Sequence, residues 1–552
     1  MPERSRLSER IYRTFLFLIL AMGVFCFGAI VILLLFYSHV WYPFKAGCPV
    51  SNKILLIPVM LLSAGAVVWL RRQGWQDKTF DRLVAISVPG LFLLQIFLFY
   101  QIFFESGWDA NVVTEAARAI VARDTESLQD VSGWYFSHYP NNLLLTLIIS
   151  LLLRINGALG LFAGDYELMS VVLVNSALSL GTAVLVYRTL VLLGTGRRAA
   201  FLGYGWTVLL LAFSPWNVIV YSDALGLLFP LAVLYLGLRR DIPPLLQWPL
   251  IAAVAYLGYQ IKPTVFIVLI ALVGVRLLEA LYRLARGQQI VWAQVRRRGV
   301  ALLLAAVTLV VIHGALNQAY RAAGLVIDEN QRYSLYHFLM MGQNDVSNGG
   351  YYEGDVGFST SFPGYEERKE ADKAVALQRI QSRGLTGQLV FTARKVLSDY
   401  NDGTFAWSME GNFYRDIKPE PSAAAGPLRD FFYSTGQYYP IFQTAVQGLW
   451  WGTLLLVLVS AAAALYDLAG KNQCSQAYLV VLVSLIGVTL YDAIFETRAR
   501  YLYIYVPFYI LCAVLALQRM SRRGTEPCRT KVIGPQLLSS LGCSGSRKQP
   551  GV

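Results

Sequence analysis

Long apolar runs separated by short polar stretches occupy most of the chain. A helix needs about 20 apolar residues to cross a hydrocarbon core of about 30 Å. The pattern lacks the alternating polarity of membrane-barrel strands, so it predicts an all-α polytopic membrane protein with about 12 to 13 transmembrane helices. The runs are residues 15–37, 54–70, 83–104, 143–153, 170–193, 199–213, 225–238, 248–259, 265–281, 300–312, 445–465, 479–491 and 501–517.

Basic residues lie mainly in the short loops between these runs. Of the 552 residues, 56% are hydrophobic and only 15% are charged, and the mean hydropathy is +0.49. The net charge of +13 would suit a nucleic-acid partner, but the excess of Lys and Arg in cytoplasmic loops explains it better. We therefore expect no nucleic-acid partner, and we expect a multi-pass protein of a bacterial plasma membrane.

The same charge bias places both termini in the cytoplasm, which requires an even number of crossings. Thirteen is an odd number, so one of the runs should not cross the membrane. We expect residues 143–162 to be the segment that does not cross, because Arg154, Asn156 and Gly157 interrupt it. The acidic residue that follows the third run, Asp109, then lies at the outer face.

Five regions follow from this pattern. Residues 1–82 form a two-helix N-terminal extension, 83–317 a transmembrane core, and 318–444 an extracytoplasmic domain rich in α-helix. Residues 445–520 supply the last transmembrane helices, and 521–552 form a basic cytoplasmic tail. Apolar residues at helical spacing in 111–128 predict an amphipathic helix on the membrane surface.

Several ionisable residues fall at the predicted outer face. A carboxylate there can take a proton from a hydroxyl group, while Lys and Arg can bind a phosphate and stabilise its charge as it leaves. Each also has a structural interpretation: Asp109 and Asp223 suit helix caps, Lys262 suits a head-group lysine, and an ion pair accounts for the arginines. These residues are Asp109, His138, Asp223, Lys262, Glu496, Arg498 and Arg500.

Short motifs containing these residues resemble the multi-span glycosyltransferases of the GT-C fold. The resemblance is to the branch with protein O-mannosyltransferases, aminoarabinose transferases and bacterial cell-wall glycosyltransferases, and it extends from Phe104 to Tyr501. The motifs are Trp108-Asp109, Tyr139-Pro-Asn-Asn142, Ser214-Pro-Trp with Ser222-Asp223, Lys262-Pro-Thr264, and Glu496 with Arg498-Ala-Arg500-Tyr501.

The resemblance implies a GT-C type fold and an inverting transfer of a sugar from a polyprenyl-phosphate donor. The acceptor would be a hydroxyl of a glycan, glycolipid, teichoic acid or protein on the outer face. Asp109 would be the base and Asp223 a second catalytic acid. Substrate and phosphate would contact Lys262, Arg498, Arg500, His138, Tyr139 and Glu496, and the membrane lipids would surround the active site.

One departure from the family pattern concerns metal binding. The family often has a second acid directly beside the first, but Ala110 stands there. A divalent metal (Mg, Mn or Ca) between paired carboxylates would need Asp223 or Glu105 as the second ligand beside Asp109. The sequence leaves the metal open.

Two other classes of function compete with an enzyme. A carrier or flippase of lipid-linked saccharides would carry polar residues within several transmembrane helices, whereas most runs here have apolar centres. A receptor or scaffold would use residues 318–444 to bind a partner, and the composition of that region is neutral between the alternatives.

Overall fold

The computed structural model describes residues 3–37, 48–72, 76–288, 291–471 and 474–522. Most of the predicted basic tail lies outside these residues. The described chain is all-α apart from two short paired strands, β1 (Phe104–Glu105) and β2 (Asp416–Ile417).

Each of the thirteen predicted apolar runs overlaps at least one of the twenty described α-helices. The first ten are α1 (Glu3–Tyr37), α2 (Asn52–Arg71), α3 (Asp77–Gln101), α4 (Trp108–Ala122), α5 (Thr125–Val131), α6 (Leu143–Leu159), α7 (Met169–Leu192), α8 (Arg197–Thr207), α9 (Ser222–Leu225) and α10 (Leu228–Leu238). The next ten are α11 (Pro244–Ile261), α12 (Phe266–Ala285), α13 (Trp292–Ala322), α14 (Leu335–Gly342), α15 (Glu353–Thr360), α16 (Tyr365–Tyr400), α17 (Ala425–Phe432), α18 (Tyr439–Lys471), α19 (Gln476–Ile494) and α20 (Val506–Ser521).

Polar contacts distinguish the two ends of the helix bundle. At one, the arginine end, Arg197 pairs with Asp81, Arg519 pairs with Asp467, and Arg71 donates to the carbonyl of Met520 at 2.9 Å. The opposite end contains Asp109 and is called the Asp109 end. The separation matches the predicted concentration of basic residues on one side of the membrane.

Ten of the described helices are long and apolar enough to cross a membrane, by length and composition. Residues 140–159 are among them, but contacts place both ends of α6 at the Asp109 end. At its start, Asn142 donates to the Tyr135 hydroxyl at 2.7 Å. Just after it, Tyr166 donates to the Pro419 carbonyl at 2.9 Å and Glu167 pairs with Arg118 at 2.6 Å.

Helix α6 therefore does not cross the bundle, in agreement with the interpretation of residues 143–162. The shorter apolar helices α8, α10 and α11 also run between the two ends. Arg197, at the start of α8, pairs with Asp81 at the arginine end, and Trp216, beyond its end, donates to the Thr404 carbonyl at the Asp109 end. Asp223, before α10, and Lys262, after α11, pair with each other at the Asp109 end. In the described part of the chain, twelve helices thus connect the two ends. Because this number is even, the start of α1 and the end of α20 both lie at the arginine end, as the charge pattern predicts.

The region between α13 and α18 packs directly on the bundle. Helix α16 contacts α1 and α19, and at its C-terminal end the Tyr400 hydroxyl hydrogen-bonds Thr489 at 2.7 Å and Tyr509 at 2.9 Å. β2 pairs with β1, which lies just after α3. This region is α-rich as predicted, and it forms part of the Asp109 end.

The two N-terminal helices pack against the end of the chain. Helix α1 contacts α18, and α2 contacts α18 and α20. The Asn52 amide, at the start of α2, donates to Asn401 at 2.9 Å. The N-terminal extension therefore buries the outer surface of the last transmembrane helices and supports the segment that follows α16.

Candidate functional site

Two backbone features position Asp109 in the first turn of α4. The Gly107 amide donates to the Asn412 carbonyl at 2.9 Å, and a Cβ on Gly107 would lie 2.5 Å from that oxygen. Only glycine permits this approach. The next residue, Trp108, has a φ of 47°, a left-handed conformation that is strained for an aromatic residue and typical of functional sites.

Asp109 is half-buried, and its surroundings, which include Tyr135 and Tyr221, are here called the chamber. The Asp109 carboxylate accepts a hydrogen bond from the Tyr221 hydroxyl at 3.2 Å. Loss of solvent raises the pKa of the Asp109 carboxyl above its ordinary value, and the positive charge of Arg500 opposes that rise. A carboxylate with a raised pKa accepts a proton more readily, which suits a general base.

Five charged side chains, here called the ion cluster, lie beside this chamber. They are Asp223, Lys262, Glu410, Arg498 and Arg500. Lys262 donates to one oxygen of Asp223, and Arg500 donates to the other at 3.1 Å. Arg500 also donates to Glu410 at 2.9 Å, and the same Glu410 oxygen lies 3.8 Å from Arg498.

The ion cluster is largely removed from water. Asp223 is 1% exposed, Lys262 6% and Arg500 7%. Buried charges of this kind are strongly unfavourable unless they are paired. Their accumulation at one end of a membrane bundle therefore indicates a functional site, because charges that served only packing would cost stability.

Aromatic rings surround the Arg500 guanidinium. Its central carbon lies 4.9 Å from the Trp108 ring, 5.1 Å from the Tyr501 ring and 5.7 Å from the Tyr221 ring. Tyr221 thus contacts both the Asp109 carboxylate and Arg500. The Tyr501 hydroxyl in turn donates to Glu496 at 3.1 Å, which links Glu496 to the same group of side chains.

His138 and Tyr139 lie at the rim of the chamber and outside the ion cluster. The His138 ring hydrogen-bonds the Trp134 carbonyl at 2.8 Å and packs 4.7 Å from the Tyr333 ring. Tyr139 packs on Tyr135 and Tyr333. Burial lowers the pKa of His138, which favours the neutral ring. The structure therefore brings six of the eight predicted residues close together and places these two beside them.

The two candidate partners of Asp109 in a metal site, Asp223 and Glu105, are already occupied by basic side chains. Both Asp223 oxygens accept from cations, and Glu105 pairs with Arg118 at 3.0 Å and Lys418 at 2.8 Å. Within the described ranges, no group of three or more His, Cys, Asp or Glu side chains is placed to hold a metal ion. The arrangement around Asp223 and Glu105 therefore does not fit a paired-carboxylate metal site with Asp109, a question that the sequence leaves open.

Glu410 is the main member of the site that the sequence did not reveal. It belongs to a loop in which Phe405, Ala406, Ser408 and Asn412 have φ values of 57°, 61°, 65° and 48°. Asp402 stabilises the start of this loop by accepting from the Thr404 and Ala406 amides at 2.8 and 2.7 Å. The sequence marks the start of this loop by the turn residues Asn401-Asp-Gly-Thr404, but the four strained residues are not glycines and do not reveal the path that brings Glu410 to the site.

Fold and site together define a polytopic α-helical membrane protein with a buried ion cluster and an acidic residue at one end. Comparison with known families agrees with this class: a family model described as conserved hypothetical integral membrane protein matches residues 7–521. The chain belongs to that family. No curated protein and no solved structure matches it.

Proposed function

We propose that the chain is a membrane glycosyltransferase that transfers a sugar from a polyprenyl-phosphate donor to an acceptor hydroxyl. One observation carries this proposal: Tyr221 joins a carboxylate of raised pKa, Asp109, to a guanidinium in the buried ion cluster, Arg500. A base and a set of cations side by side are what displacement of a phosphate by a hydroxyl requires.

In the proposed reaction, Asp109 accepts the proton of the acceptor hydroxyl. The acceptor oxygen forms a bond to the anomeric carbon as the bond from that carbon to the phosphate oxygen breaks, with inversion. The electron pair of that bond leaves with the polyprenyl phosphate, whose charge the nearby arginines stabilise. Arg is suited to this task because its planar fork binds two phosphate oxygens.

Asp223 takes a positioning role in this scheme. Its two oxygens hold Lys262 and Arg500, so it orients the cations and is not itself aimed at the acceptor. Glu410 acts on the other side of Arg500 in the same way. The two acids keep the positive groups ordered before the donor binds, which reduces the reorganisation needed during transfer.

The distribution of buried charge supports an enzyme over a carrier. The five members of the ion cluster lie at the Asp109 end of the bundle and do not follow a path from one end to the other. A carrier of lipid-linked saccharides would need polar groups along such a path. From the charge pattern of the loops, we expect the chamber on the outer side of a bacterial plasma membrane.

The test is mass spectrometry of membrane lipids from cells that carry the wild type, a deletion, Asp109→Asn or the matched control Asp130→Asn, which changes an exposed acid of α5. We expect a polyprenyl-phosphate monosaccharide to accumulate in the deletion and in Asp109→Asn only. The mass of the lipid then identifies the class of sugar. Unchanged lipids in both strains, with the variant protein present in the membrane, would refute the proposal.

A further inference from the structure

One transmembrane helix, α13, lies at the edge of the bundle. It packs mainly on α11, and its buried residues, Ala301, Ala305 and Tyr320, lie on the side that faces that helix. The rest of its surface is largely exposed. The described part of the bundle therefore leaves most of α13 facing the membrane.

The exposed surface of α13 carries polar side chains at membrane depth. Residues 299–320 contain no Asp, Glu, Lys or Arg and are bounded by Arg298 and Arg321. At 1.5 Å per residue, this stretch is about 33 Å long, close to the thickness of a hydrocarbon core. His313 lies about 5 Å from its middle and Asn317 about 11 Å. Polar side chains so deep in lipid are costly and are typical of functional contacts.

The two polar residues form a chain of hydrogen bonds with α11. The His313 ring hydrogen-bonds the Tyr256 hydroxyl at 2.8 Å and the Asn317 side-chain amide at 3.0 Å. Asn317 is thereby turned towards the middle of the membrane and away from the head groups. An amide has two N–H donors and one carbonyl acceptor, and the bond to His313 uses one of these groups. The others have no partner among the described residues.

Both polar residues belong to one seam of α13, a row of positions alternately four and three residues apart along which one helix packs against another. All positions of this seam are exposed: Gly299, Leu303, Ala306, Val310, His313 and Asn317. Small residues such as Gly299 and Ala306 allow two helix backbones to approach closely in a membrane. The seam thus has small residues towards the arginine end and polar residues towards the Asp109 end.

A second copy of the chain is the partner whose polar groups match this seam. Every copy has the same orientation in the membrane, so two α13 helices related by a two-fold axis normal to the membrane run parallel. In a parallel pair, each position of the seam faces its own counterpart. The two Asn317 amides then meet at one depth, and a donor of one pairs with the acceptor of the other. Acyl chains offer no such match, because they cannot hydrogen-bond.

We propose that the seam of α13 is the interface of a parallel homodimer, in which the paired Asn317 amides hold the two helices in register. A polar residue at a seam position sets the register and the number of chains in helical assemblies. Hydrogen bonds between helices also strengthen their association within a membrane. The inference rests on the surface of α13 and is independent of the proposed reaction.

Disulfide cross-linking in the native membrane tests the interface. The full-length protein, without its native cysteines, carries either Val310→Cys on the seam or the matched control Val311→Cys. The two valines are similarly exposed, at 72% and 63%, but Val311 lies on another side of α13. With an oxidant that enters the bilayer, we expect a cross-linked dimer for Val310→Cys and little for Val311→Cys. No product from Val310→Cys, equal cross-linking of the two variants, or a product with the mass of a different partner would overturn the homodimer.

Single-molecule photobleaching of the labelled protein in liposomes measures the strength of the dimer. Asn317→Leu should weaken dimerisation roughly three- to thirtyfold, as expected for loss of a hydrogen bond between helices. The matched control Gln318→Leu changes an exposed polar neighbour off the seam and should dimerise like the wild type. A wild type that stays monomeric at all protein-to-lipid ratios, or an Asn317→Leu variant of unchanged affinity, would refute the proposal. The cross-linking variants keep Asn317, so they decide the interface even if Asn317→Leu does not fold.

Discussion

Lys262 and Asp223 form a buried ion pair, with Arg500 bonded to the second oxygen of the same carboxylate at 3.1 Å. The three residues come from the turn before α12, from α9 and from the turn before α20. The three side chains therefore join three separate parts of the bundle at the point where the chemistry is proposed to occur.

Removal of one partner should destabilise the protein strongly. Asp223→Ala leaves Lys262 and Arg500 buried without their shared carboxylate, and such losses cost roughly 3–5 kcal/mol of unfolding free energy. Thermal unfolding of the purified protein in detergent measures this loss. The double variant Asp223→Leu with Lys262→Met should recover much of the stability and remain inactive. A single variant as stable as the wild type would show that the pair is not buried.

Loss of the Tyr221 hydroxyl should lower the rate and change its dependence on pH. Tyr221→Phe removes the hydrogen bond that stabilises the charged form of Asp109, so the raised pKa of that carboxyl should rise further. The rate should fall roughly three- to tenfold. The acidic limb of the pH–rate profile should move to higher pH. Tyr438→Phe, at an exposed tyrosine, should leave the profile unchanged.

Stability should depend on pH through Asp399 and Lys395. Burial raises the pKa of Asp399 to about 7 and lowers the pKa of Lys395 to about 8. Because the folded pKa of Asp399 is raised, its contribution is full below about pH 4 and is lost as the pH rises to about 7. Lys395 acts in the opposite direction, since its contribution is lost as the pH falls through about 8.

The variant Asp399→Asn removes the pH-dependent contribution of Asp399 and leaves that of Lys395. It keeps an oxygen that can accept from Thr497 and removes the titrating group. The fall in unfolding temperature between pH 5 and pH 7 should therefore be smaller than in the wild type. Asp130→Asn, at an exposed position, should retain the wild-type pH dependence. Identical slopes in Asp399→Asn and the wild type would exclude Asp399 as the source.

Cysteine labelling tests the placement of α6. In a background without native cysteines, Gly133→Cys and Leu161→Cys lie before and after α6, and both positions are exposed. Both should react with a membrane-impermeant maleimide from the same side of sealed cells or vesicles. Gln288→Cys, exposed at the arginine end, should react only from the opposite side. Labelling of 133 and 161 from opposite sides would make α6 a transmembrane helix.

Hydropathy and charge were sufficient to predict the architecture. The all-α membrane fold is confirmed, because an apolar run of sufficient length leaves the backbone few alternatives to a helix in lipid. Arg154, Asn156 and Gly157 interrupt residues 143–162, which is why this segment is predicted not to cross, and the cysteine labelling tests that prediction. The criteria of length and composition alone count residues 140–159 among the helices that could cross a membrane.

The contacts within the site were not predictable to the same degree. Asp223 was expected to be free to act, but both of its oxygens are held by cations, and sequence spacing carries no information about that pairing. Glu410 lies in a loop whose start is marked by Asn401-Asp-Gly-Thr404, but whose left-handed residues are not glycines, so the sequence does not show that the loop returns Glu410 to the arginines. The roles of Asp109, Lys262 and the arginines in catalysis stay predictions until the variants are assayed.

Helix α6 also affects the surrounding bilayer. Leu151, Ile155 and Leu159 are exposed at every fourth position, so they form one apolar stripe along a helix that stays at the Asp109 end. A helix that does not cross takes up area in a single leaflet. We therefore expect the protein to be broader in that leaflet than in the other. We expect it to favour membranes whose curvature or lipid asymmetry relieves this difference.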